Sequence, residues 1–366
     1  MTSTFKKIIV FVALVCLLPV FASASAVSPE FSVIPELPDN QRQNGNTFFD
    51  LLVHPGQRQT LFINIINLAP EDIVVLVEAV TASTGSNGNI NYSETADIMD
   101  PSLKFPFHEL ASLQNQRETI PAHQEKSIPI SLSIPDEPFD GMLLGSIRVL
   151  KEITEEERQA GGMILNQYAY VIAVRLVQDE NAENIPPDFT FGGVSTQLIN
   201  HRASIVANIH NTAPKLIKGA DISAQISQAG ADAPLFELSM PAEFAPNSIL
   251  PLVFTDMDGR GLIPGDYNAT VRLQYEGRIW DFEESFTIDP RQADSVNEGA
   301  INLYDEQSSH NWFEDIPLWA RFALGIGGLA LILLIASIIR LFRKKMRPVT
   351  LTLPPFPQQN DNSQNK

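Results

Sequence analysis

The chain has 366 residues, a net charge of −18 at pH 7 and a single cysteine. With Cys16 alone, disulfides and multi-thiolate metal sites are excluded. Between Val27 and Leu318 there are 16 Lys and Arg against 42 Asp and Glu, a balance that argues against holding nucleic acid or another anionic polymer through bulk electrostatics.

Lys6 and Lys7 precede an apolar run, Ile8 to Phe21, and the small residues Ala24-Ser25-Ala26 follow. This is the layout of a signal peptide over residues 1–26, with Ala24 and Ala26 at the recognition positions and Val27 as the first mature residue. The alternative is an uncleaved membrane helix, for which the run is short. Loss of the leader also removes Cys16. A cysteine-free exported domain suits a bacterial surface better than a secreted eukaryotic protein.

The next stretch, 27–182, reads as a β-sandwich. Phe31 to Pro35 opens it, and a polar loop runs through Asn46. Gln59 to Asn67 alternates apolar and polar residues, and Asp72 to Thr81 is rich in β-branched ones. Lys126 to Ile134 alternates strictly, Leu143 to Val149 follows a glycine turn, and Tyr168 to Val177 comes last. Gly85-Ser-Asn-Gly88 is a turn cluster. Thr154-Glu-Glu-Glu157 fits a capping box, so a short helix is expected before Gly161-Gly162. Asn181 to Pro187 reads as a linker.

A second sandwich is expected over 183–290. Its strands are Ser204 to Ile209, Asp221 to Ser227, Pro251 to Thr255, Tyr267 to Tyr275 and Arg278 to Ile288, with a hairpin turn in Gln274 to Arg278. Gly192-Gly193 reads as a strand start. The halves echo each other: Asn67-Leu-Ala-Pro-Glu-Asp-Ile73 beside Asn211-Thr-Ala-Pro-Lys-Leu-Ile217, and Gly141 to Val149 beside Gly265 to Leu273. The expected fold is therefore all-β, two immunoglobulin-like β-sandwich domains in tandem, plus one transmembrane α-helix.

Residues 291–318 are polar and acidic and read as a disordered stalk. The span is set at 319–341. Phe322 to Ile339 holds 18 residues without a charge. As a helix that is about 27 Å, against a bilayer core of about 30 Å. Trp312 and Trp319 would sit at the outer interface; Arg340, Arg343, Lys344, Lys345 and Arg347 would hold the following end in the cytoplasm. Residues 342–366 form a basic, then Pro/Gln/Asn-rich, cytoplasmic tail. The expected protein is a single-pass cell-membrane protein with its N-terminal part outside.

No catalytic constellation emerges. The six histidines are scattered, and no His-Glu-x-x-His motif, nucleophile elbow or phosphate loop is present. Asp256-Met-Asp258-Gly259 has glycine fourth, not sixth, and Tyr267 where a calcium loop needs glutamate, so it reads as an interstrand loop. No cofactor or metal is expected. The residues point to a binding or scaffolding protein, with a weak bet on Asn166, Gln167, Tyr168 and Tyr170 as the functional neighbourhood. The alternatives are a wall-active glycoside hydrolase, which needs two carboxyls about 5–10 Å apart in a cleft, or an envelope sensor signalling through the tail.

The order of several short motifs resembles the WxL-interacting proteins of Gram-positive bacteria. Phe31-Ser-Val-Ile-Pro35, Phe49-Asp-Leu51, His54 to Thr60, Leu103 to Phe107, Phe139 to Gly145 and Asn166 to Ile172 resemble the family's peptidoglycan-binding domain. Ala207 to Asn211, Met240 with Ala245 to Ser248, and Leu262 to Gly265 resemble its host-binding domain. The departures are Ser146, where a second glycine after Gly145 is expected, and a Pro/Gln/Asn-rich tail longer than the family pattern implies. The resemblance implies a non-enzymatic, membrane-anchored adaptor. Its implied partners are WxL-domain surface proteins, peptidoglycan and a host extracellular protein, with no nucleic acid.

Overall fold

Strand-period alternation dominates the chain, and the fold follows it. A computed structural model describes residues 30–43, 45–154, 158, 167–231, 233–256 and 261–300. The leader, the span, the tail, Asn166, Trp312, Trp319 and the basic cluster from Arg340 to Arg347 lie outside these residues. So does most of the expected helix after Thr154, of which one helical bond is seen, Arg158 N–H to the Thr154 carbonyl at 3.0 Å. Among the described residues no helix is long and apolar enough to cross a membrane.

The first half contributes β1 (Phe31–Glu36), β2 (Phe49–Leu52), β3 (Arg58–Asn67), β4 (Ile73–Thr81), β5 (Ser83–Thr84), β6 (Ile90–Asn91), β7 (Ala111–Leu113), β8 (Arg117–Ile120), β9 (Glu125–Ser133), β10 (Met142–Lys151) and β11 (Ala169–Val177). They form one sheet in the order β1-β3-β9-β7 and a second in the order β2-β11-β10-β4-β8. A single core lies between them. Leu61, Ile63 and Ile65 enter it from β3, Val75 and Val77 from β4, Ile147 and Val149 from β10. Alternation explains this, since side chains two apart on a strand share a face.

The second half contributes β12 (Phe189–Ile199), β13 (Arg202–Asn211), β14 (Ile217–Gln228), β15 (Phe236–Phe244), β16 (Ser248–Thr255), β17 (Gly265–Tyr275) and β18 (Arg278–Ile288). The sheets are β12-β13-β16 and β15-β14-β17-β18. Ile205, Ile209, Ile222, Ile226, Val271 and Leu273 fill the core. The turn between β17 and β18 places Glu276 at φ 48° and Gly277 at φ 74°. Positive φ at both central residues is the geometry of a tight two-residue hairpin.

The two halves repeat one topology. Leaving out β2 and the short pairs, β1, β3, β4, β8, β9, β10 and β11 occur in the same order and neighbourhood as β12 to β18. The Asn67 and Asn211 motifs occupy the same corner, where the chain crosses between sheets. Asn67 Nδ2 donates to the carbonyls of Glu71 (2.8 Å) and Ile120 (3.0 Å). Asn211 Nδ2 donates to those of Lys215 (2.9 Å) and Ala245 (2.8 Å). Each buried amide closes its own turn and ties it to the opposite layer.

Three expectations change. Residues 290–299 are not stalk but a helix, Pro290–Gly299, packed on the second core. Asp289 caps it: its Oδ1 accepts from Gln292 N at 2.9 Å while Gln292 Oε1 accepts from Asp289 N at 3.1 Å. Ala293, Val296 and Ala300 supply the apolar stripe at helical spacing. Gly192-Gly193 does not begin a strand; the pair forms a bulge inside β12, between Phe191 and Val194. The 181–187 segment is more than a tether, since Ala182–Asn184 forms a short 3₁₀ turn with Ala182 packed on Met142 and Val177.

The halves interlock. Asp100 Oδ2 and His210 Nδ1 lie 2.6 Å apart, and Thr84 Oγ1 and Ser248 Oγ also 2.6 Å apart. Glu243 N donates to the Gly88 carbonyl at 2.7 Å, so the β5–β6 hairpin reaches onto β15. Met142 N donates to the Pro214 carbonyl at 2.9 Å.

Candidate functional site

Three places on the described surface carry chemistry. The first is the outward side of the β1-β3-β9-β7 sheet. Its register sets Ile34, Asn64 and Ser127 in one row, Glu36, Phe62 and Pro129 in the next, and Thr60, Ser131 and Ser112 in a third. Phe62 is 38% exposed and Ile34 50%. They form an apolar diagonal in a field of hydroxyl and amide side chains, and charge is confined to the rim at Glu36, Glu125 and Arg58. On a chain this acidic, an uncharged face is a local exception. The signal was in the sequence: in Gln59 to Asn67, the alternation that buries Leu61, Ile63 and Ile65 leaves Phe62 and Ile66 in the polar phase.

The residues singled out at the start of β11 lie beside this sheet and divide by role. Tyr170 makes an edge-on contact with Phe31, ring centroids 4.9 Å apart, and its hydroxyl donates to the Phe31 carbonyl at 2.9 Å. It therefore joins the two layers and closes part of the open edge of β1. Gln167 Nε2 donates to the Lys151 carbonyl at 2.8 Å. Tyr168 is the exposed one, at 44%.

The second place is a shallow groove of about 470 Å³ on the outward side of β14, β17 and β18. Ser223, Gln225, Thr270, Arg272, Asp281 and Glu283 line it. Arg272 grips Asp281 with two bonds, Nε to Oδ1 at 2.6 Å and Nη2 to Oδ2 at 3.1 Å. These bonds hold the Asp281 carboxyl below its ordinary value of 3.8. A general acid for glycoside cleavage needs the opposite displacement. Asp281 is therefore not tuned as such a proton donor. Because the folded value is depressed, the contact is complete above the ordinary carboxylate range and is lost as pH falls through the lowered value. A carbon NMR titration of Asp281 is expected to give a midpoint under 3.8, and Arg272→Ala should return it upward. An unchanged midpoint in the variant would remove Arg272 as the cause.

The third is a buried ionic network at one end of the first half. Asp50 has no exposed surface. Arg175 clamps it, Nε to Oδ1 at 2.7 Å and Nη2 to Oδ2, while Asn46 Nδ2 donates to Oδ2 at 2.9 Å. Arg42 reaches Asp50 at 3.4 Å and Glu180 at 3.0 Å; Arg175 also holds Glu183 at 3.1 Å. Its charges are consumed internally, which makes it a fastening for β2 and the 3₁₀ turn. Among the described residues no group of three or more His, Asp, Glu or Cys could hold a metal ion.

The family comparisons agree with this two-part architecture. Residues 31–151 match the model described as WxL Interacting Protein, peptidoglycan binding domain, and residues 159–298 the one described as WxL Interacting Protein, host binding domain. No relative is found among curated proteins. Solved structures similar to the chain include a PapD-like domain of human CEP192, at 8% identity over 43% of this chain and 92% of that one, TM-score 0.27. The YadV chaperone matches at 10% identity over 70% and 100%, TM-score 0.27, and the E. coli chaperone DraB at 14% over 71% and 98%, TM-score 0.25. Likeness at this level carries no functional argument. The family matches run consecutively over most of the described β-structure and in the expected order, and the chain belongs to the WxL-interacting protein family.

Proposed function

We propose that this protein is a non-enzymatic adaptor on a bacterial cell surface, joining peptidoglycan to WxL-domain surface proteins. The observation that carries the reading is the pairing of a peptidoglycan-binding family domain with a host-binding one on a single chain. The two repeated units are read as immunoglobulin-like sandwiches. The signal peptide over 1–26 and a single span over 319–341 put both units on the wall side of the membrane, with 342–366 in the cytoplasm. A host extracellular protein is a further partner of the second unit.

The peptidoglycan contact is assigned to the outward side of β1, β3 and β9. Wall glycans offer neutral N-acetyl sugars as well as charged groups. An exposed aromatic ring between Glu36 and Pro129, with hydroxyl and amide side chains in the adjoining rows, suits sugar faces, where a uniformly acidic surface would repel anionic polymer. Phe62→Ala is expected to lower sedimentation of the protein with purified sacculi by about five- to tenfold, the value of one aromatic contact. Its exposure means that the unfolding midpoint should barely move. Unchanged sedimentation would take the contact off this face.

The adaptor reading is tested by capturing the full-length protein from solubilised envelopes. Recovery of a WxL-domain protein supports it; repeated recovery of none would end it. Protease added to intact cells should reach 27–318 and spare 342–366, and the reverse pattern would overturn the topology.

A further inference from the structure

Sheet edges are where β-domains recruit extended partners, because each edge presents unpaired amide and carbonyl groups. Among the described residues the four main sheets have eight such edges, and most are closed. β7, β2 and β8 have only three or four residues, and β2 is covered by the loop bonds Arg42 N to Asp50 O and Leu52 N to Asn40 O. β1 has Pro35 and its capped Phe31 carbonyl. β12 is broken by its bulge, β15 contains Pro241 and β16 contains Pro251.

β18 differs from all of these. It runs 11 residues, with no proline, in unbroken register with β17. The two-residue turn makes Tyr275 and Arg278 a hydrogen-bonded pair. Alternate residues from Trp280 to Ile288 therefore bond to β17, and Ile279, Asp281, Glu283, Ser285 and Thr287 turn their backbone groups to the open side. Among the described residues no other backbone group bonds to these five.

The side chains specify what fits. The core-facing row of Trp280, Phe282, Glu284 and Phe286 is only half-buried. Trp280 packs on Phe189 at 5.0 Å and Phe282 stacks on Phe191 at 5.8 Å, leaving their open flank uncovered. An added strand would cover that flank with apolar residues at every second position. On the outward side the edge carries Glu283 and Asp281, the latter paired with Arg272, with Asp221 and Glu237 further along the sheet. The acids oppose pairing with a second β18, since like charges would face each other. They favour Lys or Arg at the intervening positions.

We infer that β18 is an acceptor edge. It takes an extended segment of a partner protein in which apolar residues alternate with Lys or Arg, and the segment becomes a fifth strand of the β15-β14-β17-β18 sheet. The partner's identity rests on the adaptor reading; the edge does not.

The test uses full-length protein in detergent and a synthetic peptide of about ten residues alternating Val and Lys, enough to span the strand. Hydrogen exchange is expected to slow at the five open-side amides of β18. Ser285→Pro should weaken the peptide about tenfold, because it removes an open-side donor without touching the β17 ladder. Glu283→Lys should weaken it similarly through charge alone and covers the case in which the proline variant does not fold. No slowing at millimolar peptide overturns the inference, as does slowing that persists in both variants. Envelope capture separates the two readings. A WxL-domain protein captured equally by wild type and by both variants removes the edge and keeps the adaptor. Protection of β18 by the peptide with no WxL-domain protein captured keeps the edge and removes the adaptor.

Discussion

Replacing Asp50 by alanine is expected to destabilise the first half by about 3–5 kcal/mol, the cost of leaving buried charge without its partner. Arg175 and Arg42 have side chains only 13% and 10% exposed, and both point at the Asp50 carboxylate. Removing it leaves two guanidinium groups beside an apolar core, with Glu180 and Glu183 neutralising them only from the rim. The effect should appear as a lower urea midpoint with an unchanged slope, and as faster exchange in β2 and β11 first. The converse follows from the same physics. Replacing Asp50, Arg175 and Arg42 together with apolar residues of similar volume should cost little, because no orphan charge remains. A loss under about 1 kcal/mol for Asp50→Ala would mean that water screens the network as it does a surface pair.

The second large effect concerns Phe107 and Gly145. Phe107, in the short helical turn Phe107–Leu110, lies with its ring against the backbone of β10. A Cβ on Gly145 would stand 2.2 Å from the ring carbon Cδ1. Gly145→Ala should therefore cost about 1–3 kcal/mol by overpacking. Phe107→Ala should cost about 3–5 kcal/mol through the cavity that it opens. The two losses should not add. Alanine at 145 partly fills the space vacated by the ring, so the double variant should be more stable than the sum of the singles implies, by about 0.5–3 kcal/mol. Additive losses in urea unfolding would show that the ring does not rest on Gly145. The contact also bears on the missing second glycine at 146. Ser146 is fully buried and donates its hydroxyl to the Tyr92 carbonyl at 2.6 Å, so that position holds down a loop and needs no bare backbone.

Most of the strands were legible because burial on one face imposes alternation. β3, β4, β9, β10, β11, β17 and β18 lie within a residue or two of where the pattern puts them. The four longer misses have three causes. β2 and β8 are four residues long, too short for a period to register. β12 keeps its phase only up to Gly192-Gly193, where the bulge inserts an extra residue. In β15, Pro241 and the half-exposed Leu238 and Met240 blur the contrast between faces. The Pro290–Gly299 helix was hidden because Ala293 and Val296 are small apolar residues in a polar run, and the capping pair Asp289 and Gln292 is its one clear sequence mark. Of the candidate surfaces, the Phe62 diagonal was present as a phase error within β3, and β11 drew attention through Tyr168 and Tyr170. The groove around Arg272 and Asp281 was illegible, since it assembles residues of three strands. So was the Asp50 network, whose central pair, Asp50 and Arg175, is 125 residues apart in the chain.

One strand complicates the division of the chain into modules. β11 lies within the second family match, which starts at residue 159, yet it is hydrogen-bonded between β10 and β2 of the first half. Arg175, the main partner of Asp50, is on it. A genetic crossover between the two matches would hand a recipient a first unit with a slot in the middle of one sheet, and a second unit trailing an orphan strand. The two segments should therefore travel between genomes as a single cassette, and a boundary that leaves both units whole falls after residue 177.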